Sequence, residues 1–204
     1  MEKLGIDLDG VVYNFHDTFR KWLECELDRE LPPLSGSDPE LHAKEWMLDK
    51  KAWWKHFDQC ARDGTLFESG DPIPGALDGL NALNDAGYRI SFVTTRPERY
   101  RDSTVRWLQK YGITYDALLM VEDKATAEVD LLLDDFTNNV MAFLATGRPA
   151  ILYTQPWNRE MDMVRVNSWR EFTKQMLFKK NNDQLYSFLH SYEKNRQTIR
   201  VCLL

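Results

Sequence analysis

Three groups of residues combine side-chain types and spacings that could carry chemistry. In the run Gly5-Ile6-Asp7-Leu8-Asp9-Gly10-Val11-Val12, two carboxylates follow a short apolar segment. At a spacing of two, Asp7 and Asp9 share a side of an extended chain, and Gly10 allows a sharp turn that keeps both at its end. Carboxylates held together resist simultaneous ionisation unless a cation joins them. A hard divalent cation such as magnesium takes oxygen ligands of this kind. Alone, the pair is equally compatible with a solvated acidic turn. The second group is Ser91-Phe92-Val93-Thr94-Thr95-Arg96-Pro97. A hydroxyl there, beside outward-pointing backbone N–H groups, can hold a phosphoryl oxygen, although strand-end threonines commonly satisfy their own backbone. Either Thr94 or Thr95 fits, and Arg96 follows as a further candidate for substrate contact. The third group is Asp123-Lys124, followed by Asp134-Asp135 after Val129-Asp130-Leu131-Leu132-Leu133. A lone lysine is usually a solvated surface group. Paired aspartates behind an apolar strand are more telling, because desolvating both needs compensation, which a cation shared with Asp7 provides.

The elements that must position these groups follow from pattern. Lys3 to Ile6, Arg89 to Thr94, and Val129 to Leu133 read as short buried strands, with Ala150 to Tyr153 and the weaker Ala117 to Val121. Helical stretches lie between them at Gly75 to Ala86, Arg99 to Tyr111 and Asn138 to Ala145, the first stopped by Gly87. Strands alternating with helices imply βαβ crossovers and a parallel α/β sheet flanked by helices. Ligands of such sheets sit beyond the carboxyl ends of the strands. Asp7, Thr94 and Asp134 are each expected there, converging on one site.

Residues 15–70 break the alternation. Phe19, Trp22, Trp46, Trp53, Trp54, Phe57 and Phe67 fall in this stretch, with a Pro/Gly/Ser-rich break at Leu31 to Pro39. We read it as a small, mostly helical insertion after the first strand, returning through Asp71-Pro72-Ile73-Pro74-Gly75. The tail from Ser168 also reads as helical, with Leu185, Phe188, Leu189 and Tyr192 as an apolar stripe for packing against the main domain or a second subunit.

Bulk properties exclude several classes. A 204-residue chain with 43% hydrophobic and 28% charged residues has the composition of an ordinary globular protein able to bury its own core. A formal charge of −6 disfavours a nucleic acid polymer as partner, whereas a bound cation would still admit a small anion. Cys25, Cys60 and Cys202 have neither zinc-site nor disulfide-framework spacing. The N-terminal run does not read as a signal peptide, and no stretch is apolar enough to span a bilayer. A soluble, cytoplasmic protein without a membrane role is expected.

Taken in order, the DxDG run, strand-end threonine, lysine and strand-end Asp-Asp resemble the haloacid dehalogenase superfamily of phosphohydrolases over about residues 3 to 160. A narrower resemblance is to the 5′(3′)-deoxyribonucleotidases. It is carried by Asp7 to Phe15, Asp71-Pro72-Ile73-Pro74-Gly75-Ala76-Leu77, Asp123-Lys124, Leu132 to Asp135, and Ile151 to Arg159. Arg96 stands where the family's pattern has a small polar residue. The resemblance implies a Rossmannoid catalytic core at 1–14 and 71–167 with the helical insertion at 15–70 as its cap, while the C-terminal helical extension at 168–204 has no clear counterpart in the family. It also implies magnesium held by Asp7, Asp9, Asp134 and Asp135, and a homodimer is a further implication. Asp7 would be the nucleophile, Asp9 the general acid and base, Lys124 the charge neutraliser and Thr94 or Thr95 the phosphoryl contact. Phe15 matches a base-contacting position. The cap aromatics divide between the cap's own core and the pocket, with Trp46 and Trp53 taken as pocket candidates beside Thr95 and Arg96.

The resulting expectation is a magnesium-dependent phosphomonoesterase acting on nucleoside monophosphates through an aspartyl-phosphate. The rivals are a phosphatase of the same fold for a sugar or cofactor phosphate, and a non-catalytic binding protein.

Overall fold

In the computed structural model, residues 2–34, 42–62 and 64–182 are described. Six strands form one parallel sheet: β1 (Lys3–Ile6), β2 (Arg89–Thr94), β3 (Ala117–Met120), β4 (Leu131–Asp134), β5 (Ala150–Tyr153) and β6 (Arg165–Val166). Their spatial order is β3-β2-β1-β4-β5-β6. The chain builds outward from β1 to β3, then crosses back to lay β4 on the other side of β1. Such a reversal opens a crevice at the carboxyl end of the central strand. Asp7 follows β1 there, and its amide donates to the Leu133 carbonyl at 2.9 Å, which sets it level with the end of β4.

The expected strands formed where both sheet faces are covered. Strands β4 and β5 are buried throughout, so they read as continuous apolar runs rather than alternating ones. Period two still sorts their side chains. Ile90, Phe92, Leu131 and Leu133 join the larger cluster on one face, while Val93, Leu132, Val140 and Phe143 pack on the other. The expectation at Val129 shifted to a start at Leu131. Strand β6 went unforeseen because two residues, one of them Arg165, carry no readable period.

Helices α5 (Ala76–Asp85), α6 (Arg101–Lys110) and α7 (Thr137–Ala145) match the expected crossovers to within two residues. A helix over 169–182, α8, closes the larger cluster with Trp169, Phe172 and Met176. It approaches α5 so closely that a Cβ on Gly79 would strike the Trp169 ring. The stripe from Leu185 to Tyr192 lies outside the described residues.

Between β1 and β2 stand α1 (Phe15–Leu27), α2 (His42–Glu45), α3 (Lys50–Arg62) and α4 (Thr65–Glu68). They own a separate apolar cluster of Phe19, Leu23, Trp46, Cys60, Ala61, Leu66 and Phe67, joined from across the boundary by Tyr100. Among the described residues, no helix is long and apolar enough to cross a membrane.

Candidate active site

The floor of the site is an acid cluster at the sheet's carboxyl edge. Asp7 is 5% exposed, Asp134 0% and Asp135 5%, and Lys124 is buried with them. Lys124 enters at the start of a 3₁₀ turn over Lys124–Thr126, capped by the Asp123 carboxylate, which accepts from the Ala125 amide at 2.8 Å. Asp123 is therefore a cap, while Lys124 is turned inward. Its Nζ lies 2.7 Å from Asp7 Oδ1 and 2.6 Å from Asp134 Oδ2.

The structure divides the two adjacent aspartates. Asp134 accepts from Lys124, from the Phe136 amide at 2.8 Å and from the Asn139 amide group at 3.2 Å. Asp135 instead lines the cavity together with Asp7. Its backbone carbonyl accepts from Asn158 Nδ2 at 2.8 Å, and that same amide group bonds the Tyr153 carbonyl. Gly10, at φ +81°, leaves the space Asp135 occupies; a Cβ there would overlap its carboxylate. Gly10 thus serves both the turn and the acid cluster.

Electrostatics follow from burial. Burial pushes the Asp7 carboxyl up to about 7, with Lys124 pulling it down and Asp134 and Asp9 adding to the rise. Burial likewise raises Asp135 well above the usual carboxylate range, helped by Asp7 and Asp134. For Lys124, burial pulls down, but Asp134 and Asp7 outweigh it and hold the ammonium above the ordinary lysine range. Three buried carboxyls thus face one cation, and oxygens of Asp7, Asp134 and Asp135 lie within 4.8 Å of one another. An oxygen-only donor set with surplus negative charge fits a hard divalent cation.

Above this floor opens a cavity of about 570 Å³. Its acidic end is Asp7, Asp9 and Asp135; its apolar walls include Phe15, Trp54, Phe57, Phe67, Phe136 and Trp157. Of the two threonines, Thr95 lines the cavity, whereas Thr94 is 1% exposed and accepts from the Arg96 amide at 3.2 Å. Arg96 reaches the cavity but commits its guanidinium elsewhere: Nε and Nη2 hold the Asp9 carboxylate at 2.9 and 2.6 Å, and Nη1 holds Thr104.

Two expected pocket residues must be corrected. Trp46 is 1% exposed, packs edge-on against Phe19 and donates its indole N–H to the Pro32 carbonyl at 3.0 Å. Trp53 stacks on Phe57 inside the same cluster and lines no part of the cavity. Both turn inward because the cap must bury a core of its own. Their place at the cavity falls to Trp54, turned about 100° round α3 from Trp53, and to Phe57, which stacks on Trp53 and also reaches the cavity. Sequence reasoning also passed over His16, whose ring lies 4.2 Å from that of Trp157, and Asp58, Arg99 and Asn139. No local signal marks them; only the meeting of cap and core does.

Comparison with known proteins agrees with this arrangement. A Chlorobaculum tepidum protein with the provisional name 5′(3′)-deoxyribonucleotidase is 30% identical over 179 residues, covering 82% of this chain and 86% of its own. A Bacillus subtilis protein, provisionally a nucleotidase, is 25% identical over 181 residues, covering 84% and 91%. Among solved structures, a HAD-superfamily hydrolase from Geobacter sulfurreducens shares the fold at a TM-score of 0.56 and 14% identity, over 86% of this chain and 96% of that one. CbbY from Rhodobacter sphaeroides does so at 0.52 and 13%, over 84% and 96%. The sequence model of the family described as 5′ nucleotidase, deoxy (pyrimidine), cytosolic type C protein matches residues 2–182. The buried acid floor under an aromatic cavity thus sits in a phosphomonoesterase, and the chain belongs to this nucleotidase family.

Proposed function

We propose that this nucleotidase hydrolyses deoxyribonucleoside monophosphates through a phosphoryl group carried on Asp7. The observation that carries the reading is the asymmetry of Asp7. Its Oδ1 is taken by Lys124 at 2.7 Å and by the Leu8 amide at 2.7 Å, while its carboxyl still reaches the cavity. One oxygen is fixed and the other is left to attack.

In the first half-reaction Asp7 attacks phosphorus in line, the bond to the nucleoside oxygen breaks, and Asp9 gives that oxygen its proton. In the second, Asp9 takes a proton from water as the water attacks phosphorus, and the bond to Asp7 breaks to release phosphate. Lys124 neutralises charge that would otherwise repel the phosphate dianion from Asp7. Thr95, at the cavity surface, contacts a phosphoryl oxygen, and Thr94 supports the turn beneath it. Asp7, Asp134 and Asp135 are the residues that would hold magnesium, which supplies charge neutralisation for attacking carboxylate and phosphate when bound. The aromatic wall suits a nucleobase, where each stacking contact is worth about 1–3 kcal/mol. Phe15 and Trp54 are the contacts we favour, and the name carried by the Chlorobaculum tepidum relative supports a deoxynucleotide.

A panel of phosphate esters assayed with magnesium tests the substrate. Deoxynucleoside monophosphates should lead in kcat/KM, and equal or faster turnover of sugar phosphates would overturn the assignment. Asp7→Asn should lose at least about 10³-fold in kcat. Near-parental activity in that variant would remove Asp7 as nucleophile.

A further inference from the structure

Arg96 is the arginine that the described part of the molecule buries, at 4% exposure. Its guanidinium is held on every side. Nη1 donates to Thr104 Oγ1 at 3.0 Å, on α6. It lies over the rings of Tyr13, at 4.7 Å, and Phe67, at 4.5 Å. Its backbone amide is pinned to Thr94. The remaining edge forms a two-point fork on Asp9, from Nε to Oδ2 and from Nη2 to Oδ1.

We infer that Arg96 is a positioning residue for catalysis, fixing the plane of the Asp9 carboxyl at the cavity edge. The inference rests on the acid and base role proposed above for Asp9. The dependence runs one way. Arg96 keeps Thr104, Thr94 and two aromatic rings as anchors without Asp9, whereas the side-chain hydrogen bonds of Asp9 among the described residues go to Arg96. The Asp9 side chain is 26% exposed against 2% for Arg96, so a partly exposed group at the cavity is gripped by a buried one. A planar fork fixes orientation as well as distance, which an ammonium cannot do. Proton transfer to a leaving oxygen needs such alignment, and small displacements cost about 10²-fold in rate.

The grip also reaches the cap. Phe67 belongs to the cap cluster, and the Tyr13 hydroxyl donates to the Leu66 carbonyl at 2.5 Å while accepting from the Gly70 amide at 2.9 Å. The return of the cap to the sheet and the holder of Asp9 are therefore one packed unit.

Leaving-group dependence separates positioning from general support. p-Nitrophenyl phosphate expels a stable anion that needs no proton, whereas a nucleoside alkoxide needs one. Arg96→Ala should lower kcat on a deoxynucleoside monophosphate about 100-fold, with KM within about twofold. In kcat/KM, which reads only the first half-reaction, the same variant should lose less than about fivefold on p-nitrophenyl phosphate, and Arg96→Lys should recover only part of the difference. In an Asp9→Asn background, either Arg96 variant should add less than about twofold to the loss. Equal losses of kcat/KM on both esters, a raised KM with kcat kept, or multiplicative losses in the Asp9→Asn background would overturn the inference. If thermal unfolding shows Arg96→Ala to be unfolded, the Arg96→Lys pair of measurements decides. If Asp9→Asn itself lowers kcat/KM alike on both esters, the acid reading of Asp9 fails, and additivity alone then decides for or against Arg96.

Discussion

The two ends of the cavity are built by opposite means. At the acid end, each group sits within three residues of a strand terminus or on a short capped turn, and each has a defined partner: Lys124 with Asp7 and Asp134, Arg96 with Asp9, Asn158 with the Asp135 backbone. At the aromatic end, rings from α1, α3, α4 and the loops after β4 and β5 meet across space. Neighbours in sequence there have different fates. Trp53 belongs to the cap cluster, while Trp54, one residue on, is 49% exposed at the cavity. Chemistry is fixed by place along the chain, and recognition by which face of a helix the core does not consume.

The sharpest way to break this contrast is to remove the hub of the acid end. Lys124→Met leaves three buried carboxyls without their cation. Breaking a buried pair by deleting one partner costs about 3–5 kcal/mol. Activity should fall with it by at least about 10³-fold. Denaturant unfolding and steady-state kinetics measure both, and a variant as stable as the parent would mean that the ion pairs do not organise the floor. Gly10→Ala comes next. It places a β-carbon against Asp135 at a positive φ and should lower kcat by about 10²-fold while sparing the cap. A kcat unchanged within twofold would show that Asp135 has room to move.

At the aromatic end the effects should separate by residue. Trp46→Ala empties the cap core, which for a buried tryptophan costs about 3–5 kcal/mol, so thermal unfolding should show an early transition. Trp54→Ala should leave stability within about 0.5 kcal/mol and raise the nucleotide KM by roughly ten-fold. If both variants shift KM with no change in stability, the division between cap core and cavity wall is wrong.

The smallest effect concerns pH in metal-free protein. Burial keeps Asp7 protonated up to about 7 when folded, against 3.8 for the free side chain, and Asp135 moves in the same direction. The folded state therefore binds protons that the unfolded chain has released, and its stability falls as pH rises from about 4 to about 7. Melting temperature in chelator should drop by about 5 °C between pH 5 and 7.5, and magnesium should restore more of it at pH 7.5. A melting temperature that rises across that interval would contradict the buried, surplus-acid floor.

Much of the acid end was legible because a parallel strand buried on both faces has to be short and apolar. The first polar residue after it then marks the sheet edge. That reasoning placed β1, β2 and β5 at their observed limits and brought Asp7, Asp134 and Asp135 together, whereas Lys124 entered only through the family resemblance. It could not apportion Asp134 to Lys124 and Asp135 to the cavity, nor choose between Thr94 and Thr95. Adjacent residues point opposite ways, and the register decides which way is in. Nor could that reasoning show that the Arg96 guanidinium, at the cavity, closes its fork on Asp9, 87 residues earlier.

By itself, then, the sequence determined the sheet, its reactive edge and the family, since strand burial and motif spacing are properties of contiguous residues. Only the tertiary structure decided which aromatics face the cavity and what holds Asp9 in place. Those outcomes depend on how two separately packed apolar clusters meet, and no local periodicity records the surface where they touch.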